Sequence, residues 1–505
     1  MIEVLSSATA EALMCPYRCR FGSLLLFLVI AALFLPSIAY ADAQWVEVRS
    51  PHFSVLTDAG EKRGRDVLQR FEQMRTAFGV IFQRVNVNIS VPLQIIAFRN
   101  GKELKQYSPL YEGKPITLAG YFQGGEDRNF IAVDLSAENN WGTVFHEYAH
   151  LLINGNLPPT AVWFDEGFAE YCSSLKMDKK EIDLGLIPPD LPQVLAQSRW
   201  LKLVDLFNVG HDSKIYNRDD RRSTFYAQSW LTVHYMMSKR LMKQVADYNS
   251  LVQEQHVAVP DAIRRAFGME PEKLDKEIAN YYSSGRATYF KAAAPPGSDQ
   301  IEFTSTPADD IQVKSLLADF DYHSRDYRPR GIAAFKEIVA RQPDNPQANR
   351  GLGYAALQEG DLDKAAEYFQ RAASGDIKDP RVHYFLAMMT TRRNSGLIND
   401  SEASATAIKE LKTALSLDPN YADAYSLLGL AYSSAGEEEH AIESLTKAIA
   451  LSPRNEMYMA NLAGVYLRAQ KLDKAEPILK HLQESSDPQI ATMAQTNLEN
   501  IHNYN

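Results

Sequence analysis

The chain has 505 residues, of which 45% are hydrophobic and 23% charged, so it is long enough for two or three packed domains and is not disordered throughout. Its formal net charge of -10 argues against a general nucleic-acid binder, because such proteins usually carry a basic patch or stripe. A local basic groove remains compatible with this charge balance.

The first 41 residues are predicted to be a secretory signal peptide. Arg18 and Arg20 precede an apolar run at 24–35, and the small-x-small sequence Ala39-Tyr40-Ala41 predicts cleavage after Ala41. The alternative is an uncleaved membrane anchor, although an apolar run of this length is short for crossing a bilayer. We therefore expect a secreted or periplasmic protein, in contact with a membrane only if the leader stays attached.

Residues 42–290 are predicted to form an α+β domain. The pattern predicts two short strands after Trp45, a helix from 60 to about 84, and strands at 91–98 and 129–135. Residues 177–199 are rich in Pro and Asp, which predicts a loop, and several helices follow to about residue 284. Residues 291–312 hold little periodic apolar content, which predicts a linker.

A repeated pattern follows the predicted linker. The segment LLGLAYSSAGEEEHAIESLTKAIALSP ends at Pro453, 34 residues after Pro419. An earlier copy begins at Pro343, and its Gly353 and Ala365 occupy the positions that Gly429 and Ala441 have in this segment. This pattern resembles the tetratricopeptide repeat, which implies an all-α solenoid over residues 313–505 that binds a protein partner. An insertion is expected around 395–402, and a capping helix at 489–501.

The segment HEYAH, which runs from His146 to His150, is the strongest chemical signal. On a helix, His146 and His150 project from one face, so two imidazole nitrogens can meet one zinc ion. Glu147 then lies beside the metal, where it can take a proton from water and pass it to a leaving amine. The five-residue match alone is moderate support for a zinc site, so its context must decide.

A catalytic zinc needs a third protein ligand and one open position. Fifteen residues separate His150 from Glu166, which lies within WFDEGFAEY. Pro158 and Pro159 end the first helix, so a second helix can bring Glu166 back toward the two histidines. Glu170 is on the same face of that second helix and is the alternative third ligand.

HEYAH followed by WFDEGFAEY resembles the gluzincin clan of zinc metallopeptidases, in particular the secreted bacterial peptidase-MA-like proteins. The resemblance extends from WVEVRSPHFSVLTDAG to FYAQSWLTVHY and covers most of residues 45–284. It implies a zincin-like fold, with Glu166 as the third zinc ligand and Glu170 as the group that orients a ligand histidine. It also implies that Tyr226, which matches a tyrosine that recurs in these proteins, stabilises the oxyanion of the tetrahedral intermediate.

Other side chains are weaker candidates for the site. A core aromatic is the alternative role for Tyr226, and His211 and His234 are lone histidines of a kind that is usually structural or exposed. Cys172, the one cysteine after the leader, is expected to be a small buried residue. Asp165 is expected to cap its helix or to face solvent.

The strand at 129–135 is expected to lie at the edge of the sheet, where it could pair with an extended substrate. Gly120 and Tyr121, which precede it, are expected to border the cleft.

These features predict a zinc-dependent peptidase with Zn²⁺ bound by His146, His150 and Glu166. Glu147 and Tyr226 are its predicted catalytic residues. An endopeptidase is favoured, because no motif marks a site for the free amino group of a substrate. The alternative is a non-catalytic assembly factor of the cell envelope, in which the repeats bind a protein and the zinc fold is a scaffold.

Overall fold

The computed structural model describes residues 44–504 except 85, 90, 126, 138–140, 190, 218–221, 286–288, 375–377 and 394–400. From Trp45 on, these residues form one compact unit. The predicted signal peptide and most of the predicted insertion at 395–402 lie outside the described residues. Within the described ranges, every helix is too short or too polar to span a lipid bilayer.

A six-stranded sheet organises the first half of the chain. Its strands are β1 (Val46–Arg49), β2 (Ser54–Thr57), β3 (Leu93–Phe98), β6 (Gly120–Gln123), β7 (Asn129–Asp134) and β11 (Thr304–Pro307). The spatial order is β11-β1-β2-β3-β7-β6. The β2, β3 and β7 strands are parallel, whereas β11, β1 and β6 pair antiparallel to their neighbours.

Both faces of this sheet are covered, which is why β3 and β7 read as continuous apolar runs. One face packs on α1 (Glu61–Phe82), whose Val67, Leu68 and Phe71 are buried in the main core. On the other face, Ile96 and Phe130 of the sheet pack with Phe320, from the first helix of the second half. The two halves of the chain therefore share a hydrophobic core.

The metal-ligand candidates lie on two consecutive helices. Helix α3 (Trp141–Asn156) follows β7, and helix α4 (Val162–Cys172) follows α3 after a connection that contains Pro158 and Pro159. Proline in a helix interior removes a backbone hydrogen bond and clashes with the preceding turn, so the two adjacent prolines favour a break, and the two helices are separate as expected. The HEYAH segment begins in the second turn of α3.

Smaller elements complete the first half. They are α2 (Gly101–Lys105), β4 (Leu110–Tyr111), β5 (Lys114–Pro115), β8 (Lys176–Met177), β9 (Glu181–Leu184), α5 (Leu191–Gln197), α6 (Leu203–Phe207), α7 (Lys214–Asn217), α8 (Arg222–Ser238), α9 (Met242–Asn249), a π-helical turn (Ser250–Glu254), α10 (Val259–Phe267), α11 (Pro271–Ser283) and β10 (Phe290–Ala293).

Two segments differ from the sequence-based expectation. Residues 177–199 are not simply a loop, because they contain β9, which pairs with β8 and β10, and α5, which packs against α8. The predicted linker at 291–312 contains the end of β10 and all of β11. Pairing with distant strands, which local periodicity does not record, stabilises these short elements.

The second half consists of paired helices. They are α12 (Asp310–His323), α13 (Arg328–Arg341), α14 (Pro346–Gln358), α15 (Leu362–Ser374), α16 (Pro380–Arg393), α17 (Ser401–Leu417), α18 (Ala422–Ser434), α19 (Glu438–Leu451), α20 (Glu456–Arg468), α21 (Leu472–Leu482) and α22 (Pro488–Tyr504). Close helix contacts explain the small residues of the repeat: a Cβ at Gly429 would lie 2.5 Å from the Leu445 side chain. The terminal helix α22 occupies the place of the expected capping helix.

A buried cluster of charges joins the two halves. Asp127, from the loop before β7, accepts hydrogen bonds from Arg381 Nη1 at 2.8 Å and from His323 Nε2 at 2.6 Å. Arg350 Nη2 lies 2.6 Å from Asp319 in the same cluster. Burial alone would raise the pKa of Asp127, but Arg381, His323 and Arg350 lower it further than burial raises it. The solenoid is therefore fixed to the first half by paired charges as well as by apolar packing.

Candidate metal centre

Helix α3 presents two histidines on one side while its opposite side enters the core. Phe145, Tyr148 and Ala149 are buried, whereas His146 and His150 are half-buried. The four-residue spacing places the two imidazole rings 4.9 Å apart, measured between ring centroids. The core face of the helix thus fixes where both histidines point.

Helix α4 brings Glu166 against these histidines. Glu166 is 3% exposed, and the next residue, Gly167, packs against the backbone of α8. A Cβ at Gly167 would lie only 2.3 Å from the carbonyl oxygen of Ser229. Glycine at this position therefore permits the close approach of α4 and α8 that holds Glu166 in place.

The three candidate ligand atoms form a nearly equilateral triangle. Nε2 of His146 lies 3.2 Å from Nε2 of His150, and Oε2 of Glu166 lies 3.4 Å and 3.5 Å from these two nitrogens. Tetrahedral zinc with ligands at about 2.0–2.1 Å requires ligand atoms roughly 3.3 Å apart. Oε2 of Glu166 is also buried without a hydrogen-bond partner. The donor set, its spacing and this unpaired oxygen fit a zinc ion.

Glu170 occupies the other side of the His146 ring. Its Oε1 lies 3.4 Å from Nδ1 of His146, while Glu166 faces Nε2. Burial lowers the pKa of His146, but the carboxylates of Glu166 and Glu170 raise it more, to about 10. Because Glu170 faces the nitrogen that points away from the triangle, this geometry favours Glu166 as the ligand and Glu170 as the group that orients His146.

Tyr216 is a member of the site that the sequence patterns did not reveal. Its hydroxyl donates a hydrogen bond of 2.7 Å to Oε1 of Glu166. Burial raises the pKa of Glu166, but the nearby imidazoles of His146 and His150 and the hydrogen bond from Tyr216 lower it below its usual range. Tyr216 lies on α7, a single helical turn without apolar periodicity, so no local signal distinguished it. The contact leaves Oε2 of Glu166 to face the histidines.

Tyr226 lies at the margin of the site, on α8. Its ring centroid is 6.3 Å from that of His146 and 6.4 Å from that of Tyr216. A cavity of about 260 Å³ lies beside Tyr226 and Glu170, and its other walls include Leu191 and Val194. Tyr226 is therefore half-buried beside an open space rather than enclosed in the core.

Three further residues lie on the two ligand helices. Glu147 is half-buried and follows His146 on α3. Cys172 is buried, which raises the pKa of its thiol, as expected for a small core residue. Asp165 does not face solvent: it is 6% exposed, and Arg454 of the solenoid lies 3.0 Å from its carboxylate. The expectation for Asp165 was wrong because a distant part of the chain covers it.

The two lone histidines have different surroundings. His234 is 1% exposed; its Nε2 donates to the Gly185 carbonyl at 3.0 Å and its Nδ1 accepts from the Tyr281 hydroxyl at 2.9 Å. Burial lowers the pKa of His234 to about 4, against the opposing effect of the bond to Gly185. Both nitrogens are thus engaged in hydrogen bonds within the fold, which supports a structural role for His234. His211 is exposed, with its ring 5.3 Å from that of Tyr216.

The edge strand beside α3 is not the predicted one. β7 lies inside the sheet between β3 and β6, and β6 is the last strand. A Cβ at Gly120 of β6 would lie 3.3 Å from Val144 of α3, so this strand runs close to the ligand helix. Tyr121 instead points to the opposite face, where its ring stacks on Phe320 at 5.9 Å. The prediction that 129–135 forms the edge strand was wrong. The true edge strand, β6, has only four residues, which is too short to be recognised from an alternation of apolar and polar residues.

Comparison with known families identifies the second half. Two models described as tetratricopeptide repeat match residues 325–380 and 422–455, and one described as TPR repeat matches 405–436. These residues therefore contain tetratricopeptide repeats, as predicted, and they form a helical solenoid. All three matches lie after residue 324, and none of the three models describes a peptidase.

Individual relatives resemble only part of the chain. A probable UDP-N-acetylglucosamine–peptide N-acetylglucosaminyltransferase, SPINDLY, from Hordeum vulgare is 29% identical over 150 residues. That match covers 30% of this chain, and the chain spans only 16% of that protein. A thermophilic TPR protein of Thermus thermophilus is 23% identical, with 37% of this chain and 98% of that chain covered and a TM-score of 0.30. MamA of Desulfovibrio magneticus is 19% identical, with 37% of this chain and 97% of that chain covered and a TM-score of 0.28.

Proposed function

We propose that this protein is a zinc-dependent peptidase, more specifically an endopeptidase, whose repeats bind a protein partner or a substrate. The observation that supports the proposal most directly is the triangle of His146, His150 and Glu166, whose ligand atoms lie 3.2–3.5 Å apart. The resemblance of HEYAH and WFDEGFAEY to gluzincins adds support. Three protein ligands leave the fourth position that a catalytic zinc requires.

Each nearby residue has a role in this proposal. A bound zinc ion would supply Lewis-acid chemistry, which polarises a peptide carbonyl and lowers the pKa of water. Glu147 takes the proton of the attacking water and delivers it to the leaving amine. Tyr226 donates a hydrogen bond to the oxyanion of the tetrahedral intermediate. Glu170 and Tyr216 orient His146 and Glu166, respectively.

The leader sequence supports export of this peptidase to the periplasm or beyond the cell. It combines an apolar run at 24–35 with small residues up to Ala41. Cell fractionation with sequencing of the mature N-terminus tests the location. We expect cleavage after Ala41, which gives a mature chain that starts at Asp42. Recovery of the chain with residues 24–35 attached would contradict it.

The repeats support a second candidate function. Tetratricopeptide repeats suggest protein–protein interaction, and they could act in a non-catalytic assembly factor of the cell envelope. The two candidates differ in what the first half must do. A peptidase requires Glu147, whereas an assembly factor requires only the folded scaffold and the solenoid surface.

The deciding experiment measures cleavage of a complex peptide library by the zinc-loaded, full-length protein. We expect chelator-sensitive cleavage within peptides that is lost in Glu147→Gln, while zinc content stays near one ion per chain. The matched control is Glu439→Gln, which changes an exposed glutamate on the solenoid. It should cleave like the wild-type protein.

Two results would contradict the peptidase proposal. One is the absence of chelator-sensitive cleavage by zinc-loaded protein. The other is a cellular function that Glu147→Gln leaves intact, which favours the assembly-factor alternative. Cleavage confined to the ends of peptides would instead replace the endopeptidase assignment with an exopeptidase.

A further inference from the structure

The inference concerns a contact between the solenoid and the connection that joins the two ligand helices. Arg454 lies in the turn between α19 and α20. It donates from Nε to the Leu157 carbonyl at 3.2 Å and from Nη1 to Oδ1 of Asn154 at 2.8 Å. Nη2 donates to Oγ1 of Thr160 at 2.5 Å. A single side chain thus contacts the end of α3 and the loop that follows it.

The same guanidinium also binds the start of the second ligand helix. Nη1 and Nη2 lie 3.0 Å and 3.4 Å from the two oxygens of Asp165, which directly precedes Glu166. The side chain of Arg454 is 19% exposed and that of Asp165 is 9% exposed, so solvent screens the pair little. Thr160 donates to Asp165 as well, which fixes the carboxylate from two sides. Arg454 therefore ties α3, the connection and α4 together.

Several arginines of the second half reach the first half, and two of them do so at places far apart along the solenoid. Arg381, at the start of α16, donates to Asp127 in the buried charge cluster before β7. Arg454, in the later turn, donates to Asp165 on the second ligand helix. The solenoid is thus paired with acidic residues of the first half at two points along its length, and only the second point lies beside the candidate metal ligands.

This arrangement matters for the metal centre because the ligands come from both helices. His146 and His150 lie on α3 and Glu166 on α4, so the ligand triangle depends on how the two helices are held together. Ala161, which precedes α4, is further fixed by a 2.9 Å bond from its N–H to Asn249. The proline-containing connection has no regular structure of its own, so side chains such as Arg454 must fix it.

We propose that Arg454 is a positioning residue of the metal centre, so that correct zinc coordination in the first half depends on the docked solenoid. The inference rests on the proposed zinc site but not on the reaction that occurs there. Groups that hydrogen-bond a metal ligand directly typically change metal affinity by about 10- to 100-fold when removed, and Arg454 acts through Asp165, the neighbour of Glu166. Displacement of the turn at 452–455, which carries Arg454, would remove the same contacts and weaken the same site.

The test measures two properties of the full-length chain: zinc affinity by competition with a chelator, and amide hydrogen exchange at 157–165. In Arg454→Ala we expect zinc affinity to fall roughly 10-fold or more and exchange at 157–165 to rise. The visible spectrum of the Co²⁺-substituted protein should also change. Arg454→Lys keeps one charged donor and should recover part of the affinity.

Two further variants make the result specific. Arg468→Ala is the matched control, because this arginine of α20 donates within the solenoid, to Ser433 at 3.1 Å and 2.8 Å. It should match the wild type in both measurements. Asp165→Asn removes the same ion pair from the first half, so it tests the proposal even if Arg454→Ala fails to fold, and its zinc affinity should fall in the same direction.

The outcomes separate this inference from the proposed function. If the wild type binds zinc and Arg454→Ala binds it equally well, the positioning role is overturned while the zinc site stands. Faster exchange with unchanged zinc affinity also overturns it, because the contact would then hold the loop but not the ligands. If the wild type binds no zinc, both the proposed function and this inference fail.

Discussion

The hydroxyl of Tyr216 donates a 2.7 Å hydrogen bond to Oε1 of Glu166, on the side of the carboxylate that does not face the histidines. Burial and the nearby Glu166 carboxylate raise the pKa of Tyr216, so its phenol keeps the proton that it donates. This bond fixes which oxygen of Glu166 points toward His146 and His150. A residue with this role should affect metal binding more than chemistry.

Tyr216→Phe tests that relationship. Loss of the donor leaves Oε1 of a buried carboxylate unpaired and frees the carboxylate to rotate, so we expect zinc affinity to fall about 10-fold. Chelator competition measures it. With zinc in excess, any peptidase activity should return to near the wild-type value, since Tyr216 binds the ligand rather than the substrate. Unchanged affinity would show that α4 alone holds Glu166.

Tyr226→Phe should instead lower peptidase activity and leave zinc affinity nearly unchanged. Tyr226 lies beside the cavity, with its ring 6.3 Å from that of His146, and it is not a ligand of the proposed zinc. We therefore expect zinc affinity to stay within about twofold while kcat falls roughly 100- to 1,000-fold, the usual effect of removing one oxyanion donor. Steady-state kinetics on a peptide found in the library screen measures this. A normal kcat would instead support the alternative role as a packed aromatic.

The grouping of His146, His150 and Glu166 could be predicted because it depends on local rules. Helical spacing put the two histidines on one face, and the proline pair allowed a turn that returns Glu166 and Glu170, whereas the choice of Glu166 followed from the resemblance to gluzincins. Tyr216 could not be found this way, because its four-residue helix has no periodic pattern. The prediction of an α+β first half rested on local periodicity, whereas the prediction of an all-α repeat region rested on the resemblance to tetratricopeptide repeats.

Contacts between distant segments account for the other differences. Asp165 and Arg454 are 289 residues apart, and nothing in the local sequence of either predicts the pair. The same holds for β11, whose pairing with β1 turns part of a predicted linker into a sheet strand. Residue composition marked these segments as irregular, whereas tertiary pairing determined their structure.

Asp127→Asn tests the charge cluster that joins the two halves. Asp127 is 4% exposed and, together with Asp319 and Asp379, neutralises the buried arginines of the cluster, among them Arg381, which is 1% exposed. Removing one partner of a buried ion pair leaves an uncompensated charge, so we expect the free energy of unfolding to fall by about 3–5 kcal/mol. Denaturant titration measures the change. Glu367→Gln is the control, because its pair with Arg371 is exposed and should contribute less than about 1 kcal/mol. If both variants lower the free energy of unfolding by the same amount, the charge cluster does not stabilise the contact between the two halves as a buried cluster should.

His234 predicts how stability depends on pH. Its pKa is about 4 in the folded protein, below the ordinary value of 6.5 expected when the chain is unfolded. Above pH 6.5 the imidazole is neutral in both states, so it has no effect. Between pH 6.5 and 4 the unfolded chain binds a proton that the folded protein does not, so stability falls as pH falls, by about 3 kcal/mol in total.

The variant His234→Gln should remove that part of the pH dependence. A glutamine amide can still donate to the Gly185 carbonyl and accept from Tyr281, but it does not titrate. Denaturant titrations between about pH 7 and pH 4 should therefore show a smaller loss of stability in this variant than in the wild type. His440→Gln is the control, since the His440 side chain is 60% exposed and its replacement should leave the slope unchanged. If His234→Gln loses stability as steeply as the wild type, another buried group governs the response to acid.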